Sequence, residues 1–514
     1  MKNLSNNYNL QFILKCIFLL FIFNLLLPSL RAEVSLPSIY GSHMVLQHGR
    51  EIQIHGSAAP DEKIQLTLGN ETRNTVANSN GHWSVVFAAR KPSFEPVNLI
   101  IEATNKINLV NILIGDVWLC SGQSNMQWTL NDSTGGLDLA KNPDVNRLRL
   151  FHFRGRPQTQ GHEFTEAELA KCNPRDYMSG SWEMASPQSA LEFSGVAMFF
   201  GNELMKSTKT PIGLVQNAVG GTPFESWLSR EIIQNDPKLR PLVENDWYSN
   251  EMVHEFCRDR AKLNLKKQKM QPQPEQPLAS HPYQPVFMFE SGIKPLQSLQ
   301  FKGVIWYQGE SNAHNPALYE FMFPRLVESW RQLFRQPQLP FLFVQLPNLE
   351  TAKNWPELRE VQRQAISIPN TGMAVTIDVG NPSDVHPRNK APVAHRLALL
   401  ARSIAYGESI ESSGPMMQSE VLKNNTIEIQ FTHIANGLKT SDAKPPASFE
   451  VAGNDTVFRP VTAEIINNRI VISTVSIDHP LTLRYGWSQN PNCNLINTEG
   501  LPASPFQIQV QSNE

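Results

Sequence analysis

The sequence predicts a doubly wound α/β core flanked by two β-rich modules, and three observations carry that reading. The chain has 514 residues, too many for one ordinary core when domains run to roughly 100–250 residues. Both ends contain closely spaced segments of strict apolar–polar alternation. The centre instead holds short, unalternating apolar runs separated by helical patterns, as buried parallel strands do.

The first 32 residues stand apart. Lys2 lies in a polar start, "CIFLLFIFNLLL" runs from Cys16 to Leu27, and "PSLRA" precedes "EVSLPS". A bilayer span needs about 20 apolar residues; this run is shorter and Asn24 interrupts it. A secretory signal cleaved after Ala32 is expected, with a retained anchor as the alternative. The mature protein is then secreted or periplasmic, free of the membrane, and without a lipid-modified cysteine at the cut.

From 33 to 108 the segments "EIQIHGSA", "EKIQLTLG", "HWSVVF" and "VNLIIEAT", split by Gly and Asn, read as a small β-rich domain. Residues 109–408 form the core. Its expected strands are "ILIGDVWLC", "LRLFHF", "IGLVQNA", "GVIWYQ", "FLFVQLP" and "MAVTIDV", with helices such as "FSGVAMFFGNELMKS" and "FMFPRLVESWRQLFR" between them. Strand alternating with helix implies a parallel sheet wound on both faces. Between about 236 and 290 the charged "CRDRAKLNLKKQKM" and the proline-rich "QPQPEQPLASHPYQP" break the pattern. They read as an insertion with a solvated helix face and a stiff linker. Residues 409–514 return to alternation, and Asn467-Asn468 suits a tight hairpin.

Composition narrows the partners. A net charge of −2 gives no global field toward nucleic acid or anionic membranes, so a small or neutral partner is expected. After the leader only Cys120, Cys172, Cys257 and Cys493 remain, too scattered for a disulfide framework, though one pair stays open. No Cys or His spacing suggests a metal, and no cofactor is expected.

Open α/β sheets bind ligands beyond the carboxyl ends of their strands. Four such ends collect chemistry: Gly122-Gln123-Ser124-Asn125, Gly220-Gly221-Thr222, Gln308-Gly309-Glu310-Ser311-Asn312, and "GNPSDVHPRNK" from Gly380 to Lys390. A serine hydroxyl needs a neighbouring base, and His386 is the histidine of these loops. Asp384 stands two residues earlier between Pro382 and Pro387, so in extended backbone carboxylate and imidazole share a face. The Ser124 amide, an amide at Gly220 or Gly221, and the Gln308 side chain are candidate donors to a developing oxyanion. Gln123 and Asn125 are expected to brace the turn. Met126 stands where the second glycine of a Gly-x-Ser-x-Gly elbow would be, which argues against an α/β-hydrolase fold.

The stretches "GDVWLCSGQSNM", "PIGLVQNAVGGTPFESW", "GVIWYQGESN", "DVHPRNK" and "NTEGLPASPF", spread from 115 to 507, resemble the sialate O-acetylesterase family of the SGNH hydrolase superfamily. The resemblance implies a flavodoxin-like hydrolase core, Ser124 as nucleophile, His386 as base, and Gly220 with Gln308 in the oxyanion hole. It also implies an acetylated glycan substrate, with O-acetylated sialic acid favoured and acetylated xylan the competitor. One departure concerns the aspartate, which the superfamily usually carries three residues before the histidine. Ser383 occupies that place here, leaving Asp384, Asp378 or a backbone carbonyl as orienter. A non-catalytic carbohydrate-binding protein is the rival class.

Overall fold

The computed structural model describes residues 33–244, 246–266, 280–350 and 354–511; the expected signal segment lies outside them, as does part of the proline-rich stretch. The chain divides into two compact units. The smaller contains residues 54–86 and 99–108 together with the first described residues up to Pro37. In it Lys63–Leu68 pairs antiparallel with Glu71–Val76 and with residues 99–102. Ile64, Leu66 and Leu68 turn inward while Lys63 and Gln65 face water, as alternation requires. Residues 38–53 and 87–98, grouped by sequence with this module, lie in the larger unit, as do the C-terminal residues.

The larger unit is built on a central sheet. Its strands are β1 (Lys106–Gly122, of which the residues from Leu109 on belong to this unit), β2 (Arg149–Gly155), β3 (Trp182–Met184), β4 (Ile212–Ala218), β5 (Gly303–Tyr307), β6 (Phe341–Val344) and β7 (Thr371–Ala374). They lie in the order β3-β2-β4-β1-β5-β6-β7, parallel throughout except for edge strand β3. Taken alone, β4-β1-β5-β6-β7 runs second, first, third, fourth, fifth in chain order, so the chain reverses direction across the sheet at β1.

Alternation on these buried strands sorts side chains between two apolar layers. Ile305, Leu342 and Val344 join the cluster containing helices Gly195–Thr208 and Ala391–Ile404. Trp306, Phe341 and Phe343 turn to the opposite layer, where Trp330 and Phe323 of helix Pro316–Leu333 meet them edge to face. Both faces are dry, which is why these segments showed no polar alternation.

The C-terminal residues form antiparallel sheets. Ala463–Ile466 and Arg469–Ser473 pair through Asn467-Asn468, both at positive φ, the two-residue turn that matches strand twist. Arg359 is fully buried and donates to the carbonyls of Leu346, Pro347, Ser488 and Gln489, tying this region to the central sheet. Cys120, Cys172, Cys257 and Cys493 are all free, so the pairing among them left open by sequence is not made. Among the described residues no helix is long and apolar enough to cross a membrane.

A candidate active site at the strand ends

Three neighbouring strands stop at one level: Gly122 of β1 pairs with Ala218 of β4 and with Tyr307 of β5. The residues immediately beyond them are therefore delivered to one edge. Gly122 takes φ +139°, and a Cβ there would collide with the Tyr307 carbonyl, so only glycine makes this exit without strain. The chain then turns into the short helix Ser124–Gln127. Gln123 braces it, its amide donating to Tyr307 O at 3.0 Å and its Oε1 accepting from Ser311 N at 3.3 Å. Ser124 is left half-buried at the surface of the turn.

The loop carrying His386 is stitched to this turn. Asn125 Nδ2 donates to the Val385 carbonyl at 2.9 Å and to Glu310 Oε1 at 2.5 Å. Lys390 Nζ donates to Asn125 Oδ1 at 2.5 Å and lies 5.8 Å and 5.6 Å from the ring centroids of Trp128 and Tyr307. The imidazole of His386 stacks on Trp128, with centroids 4.9 Å apart and planes 19° from parallel. Ser124 and His386 consequently line the same cleft, of about 570 Å³. Among the described residues neither Ser124 Oγ nor the ring nitrogens of His386 make a hydrogen bond.

Lys390 and Glu310 are hydrogen-bonded neighbours of this turn that sequence reading did not single out. Burial pushes the Lys390 ammonium down to about 7, and it pushes the Glu310 carboxyl up. Glu310 was visible in the strand-end loop, but nothing local marks either charge as buried; that depends on Asn125 reaching both.

The carboxylate candidates separate on geometry. Asp384 Oδ1 accepts the His386 main-chain N–H at 2.8 Å and lies 4.0 Å from His386 Nδ1, beyond hydrogen-bond length. Its side chain is 43% exposed. Asp378 is held elsewhere, by both terminal nitrogens of Arg396 at 2.7 and 2.6 Å, so the runner-up orienter is committed to an ion pair. His386 is held below its ordinary pKa, first by burial and then by the Lys390 charge, against the opposing pull of Asp384. The ring is thereby kept neutral, the state a base requires.

The oxyanion candidates are placed differently from one another. The Ser124 amide has no partner among the described residues. Gly220 lies beside Ser124, a Cβ on Gly220 falling 3.5 Å from Ser124 Cβ, but its amide donates to Gln127 Oε1 at 2.7 Å. The peptide carrying that amide is fixed from behind, because Thr222 Oγ1 donates to the Val219 carbonyl at 2.8 Å and itself accepts from Trp227 Nε1. Tyr283, from the inserted region, donates to the Gly220 carbonyl at 2.9 Å. The insertion thus supports the site, beyond the linker role expected of it. Gly221 takes φ +76°, and a Cβ there would strike the Tyr283 hydroxyl. Gln308, expected in the hole, is fully buried. Its Nε2 donates to Asn312 Oδ1 at 2.7 Å and to Thr222 O at 3.4 Å, so both its donors point into the support rather than the cleft.

One cleft wall has a pattern legible only after folding. His152 and Arg154 of β2, and Arg156, Gln158 and Gln160 beyond it, every second residue, all line it. Among the described residues no group of three or more His, Cys, Asp and Glu side chains is arranged to hold a metal ion.

Residues 114–257 and 281–402 match the model of the family described as carbohydrate esterase, sialic acid-specific acetylesterase. The sialate O-acetylesterase of Rattus norvegicus is 31% identical over 531 residues, covering 92% of this chain and 94% of the rat protein. That of Mus musculus is 29% identical with the same coverage. A crystal structure of a carbohydrate acetylesterase from Xanthomonas citri superposes with TM-score 0.77 at 30% identity, covering 92% of this chain and 99% of that one.

Proposed function

Because this chain belongs to the sialic acid-specific acetylesterase family of carbohydrate esterases and is a carboxylic ester hydrolase, we propose that it removes O-acetyl groups from sialic acids through an acetyl-Ser124 intermediate. The observation that carries this reading is the shared cleft of Ser124 and His386, closed behind by the Asn125 bond to Val385. The strand order β4-β1-β5-β6-β7 supports a flavodoxin-like SGNH core, with Ser124 beyond β1 beside the point where strand order reverses.

His386 takes the proton of Ser124 Oγ as the oxygen adds to the acetyl carbonyl. The tetrahedral oxyanion accepts from the Ser124 and Gly220 amides, displacing Gln127 Oε1 from the latter. Each such donor is worth about 3 kcal/mol of transition-state stabilisation. Collapse expels the sugar oxygen, which receives the proton from His386. Water, deprotonated by the same ring, then releases acetate and regenerates Ser124. Asp384 orients the ring chiefly through its main-chain bond to His386, and Gln308 holds the Thr222–Asn312 support.

The leader supports a secreted or periplasmic location. Mapping the adduct of a fluorophosphonate probe while measuring acetate release from O-acetylated sialic acid and from acetylated xylan tests the proposal. Labelling of Ser124, loss of release in Ser124→Ala, and preference for the sialate are expected. An unlabelled, fully active Ser124→Ala protein overturns the mechanism, and preference for xylan overturns the substrate.

A further inference from the structure

The wall leaving β2 places two guanidinium groups in the cleft, and the structure treats them differently. Arg154 is satisfied internally: its Nε donates to His152 Nδ1 at 2.9 Å and a terminal nitrogen lies 3.0 Å from Glu192 Oε2. Arg156 is exposed, and among the described residues no carboxylate lies within ion-pair distance of it. Asp132, the other carboxylate of the lining, instead accepts from the Thr129 hydroxyl at 2.6 Å. The cleft that holds Ser124 and His386 therefore offers one guanidinium that forms no ion pair among the described residues. Its volume of about 570 Å³ falls in the range of small-ligand sites, roughly 300–1,000 Å³.

A guanidinium presents paired donors matched to a carboxylate. A sialic acid differs from neutral acetylated sugars by a carboxylate on its anomeric carbon. Gln160, further along the wall, adds a carboxamide suited to sugar hydroxyls, whereas Gln158 accepts from Gln127 Nε2 at 3.2 Å and donates to the Gly155 carbonyl at 3.0 Å. We propose that Arg156 receives the substrate's carboxylate and sets the preference of this site for acidic over neutral acetylated sugars. This rests on the sialate reading above and goes beyond it by assigning the discriminating residue.

The test compares acetate release from one O-acetylated sialic acid and from its carboxyl methyl ester, by wild type, Arg156→Gln and Arg156→Lys. Wild type is expected to favour the free acid by about tenfold in kcat/KM, since a charge-assisted hydrogen bond is worth roughly that much. Most of the difference should lie in KM and shrink as salt rises. Arg156→Gln should bring the acid-to-ester ratio near one, and Arg156→Lys should restore part of it. A ratio unchanged by Arg156→Gln overturns the assignment while leaving the sialate reading intact. Equal loss on both substrates with an unchanged ratio overturns it too. Wild type that releases acetate from neutral acetylated sugars and from neither sialate form overturns both.

Discussion

The side-chain amide of Asn125 donates to the main-chain carbonyl of Val385 at 2.9 Å, across 260 positions of sequence. With the Lys390 bond to Asn125 Oδ1, it joins the turn bearing Ser124 directly to the loop bearing His386. The same side chain also donates to Glu310 Oε1 and accepts from Lys390 Nζ, so one carboxamide links two ionisable groups to both the turn and the loop.

Asn125→Ala should therefore cost both stability and rate. Leaving buried charged groups without their shared partner is expected to cost about 2–3 kcal/mol, read as a lowered denaturant midpoint. The rate should fall mainly in kcat, because the buried Asn125 positions the loop of the proposed base.

The acid side of the pH profile should lie below the ordinary histidine value. His386 must be neutral to accept a proton, and burial with the Lys390 charge depresses its pKa; activity is lost as pH falls through that depressed value. In this range Lys390, at about 7, carries its charge. Lys390→Met removes the repulsion, so the acid limb of kcat/KM should move to higher pH.

Asp384→Asn should be mild for a change at a triad position. Asparagine keeps an oxygen for the His386 main-chain N–H, while the lost contact to Nδ1 spans 4.0 Å. A fall in kcat of about tenfold or less is expected, against the roughly 10⁴-fold loss where an aspartate hydrogen-bonds the ring directly. Asp384→Ala, which also removes the turn bond, should be worse, and steady-state kinetics of the two variants separates the roles.

Gln127→Ala should free the Gly220 amide now occupied at 2.7 Å. Displacing a neutral hydrogen bond costs about 0.5–1.5 kcal/mol, so kcat/KM on a small aryl acetate should rise by roughly two- to tenfold. A boronic acid that mimics the oxyanion should bind correspondingly tighter.

Much of the fold was legible because the core strands are dry on both faces: Ile305 and Trp306 belong to opposite apolar layers, which erases alternation and marks the segment. Asn467 and Asn468 marked their hairpin because few other residues tolerate positive φ twice in succession. Gln308 was legible as a strand-end carboxamide, but its direction was not. Whether it faces the cleft or the support depends on Asn312 of its own loop and on Thr222, contributed by a turn 86 positions away. Lys390 gave no local signal, since its burial arises from Asn125, Trp128 and Tyr307 closing over it.

By itself, then, the sequence determined the succession of strands, their common ending and the residue types presented there, because hydrophobic period and turn chemistry act over a few neighbours. Tertiary structure alone decided which groups meet: that His386 stacks on Trp128, that Asp378 is committed to Arg396, and that Arg156 stands without a carboxylate partner among the described residues. Pairing of polar groups is set by distance and competition among donors and acceptors from remote segments, and no local pattern encodes that competition.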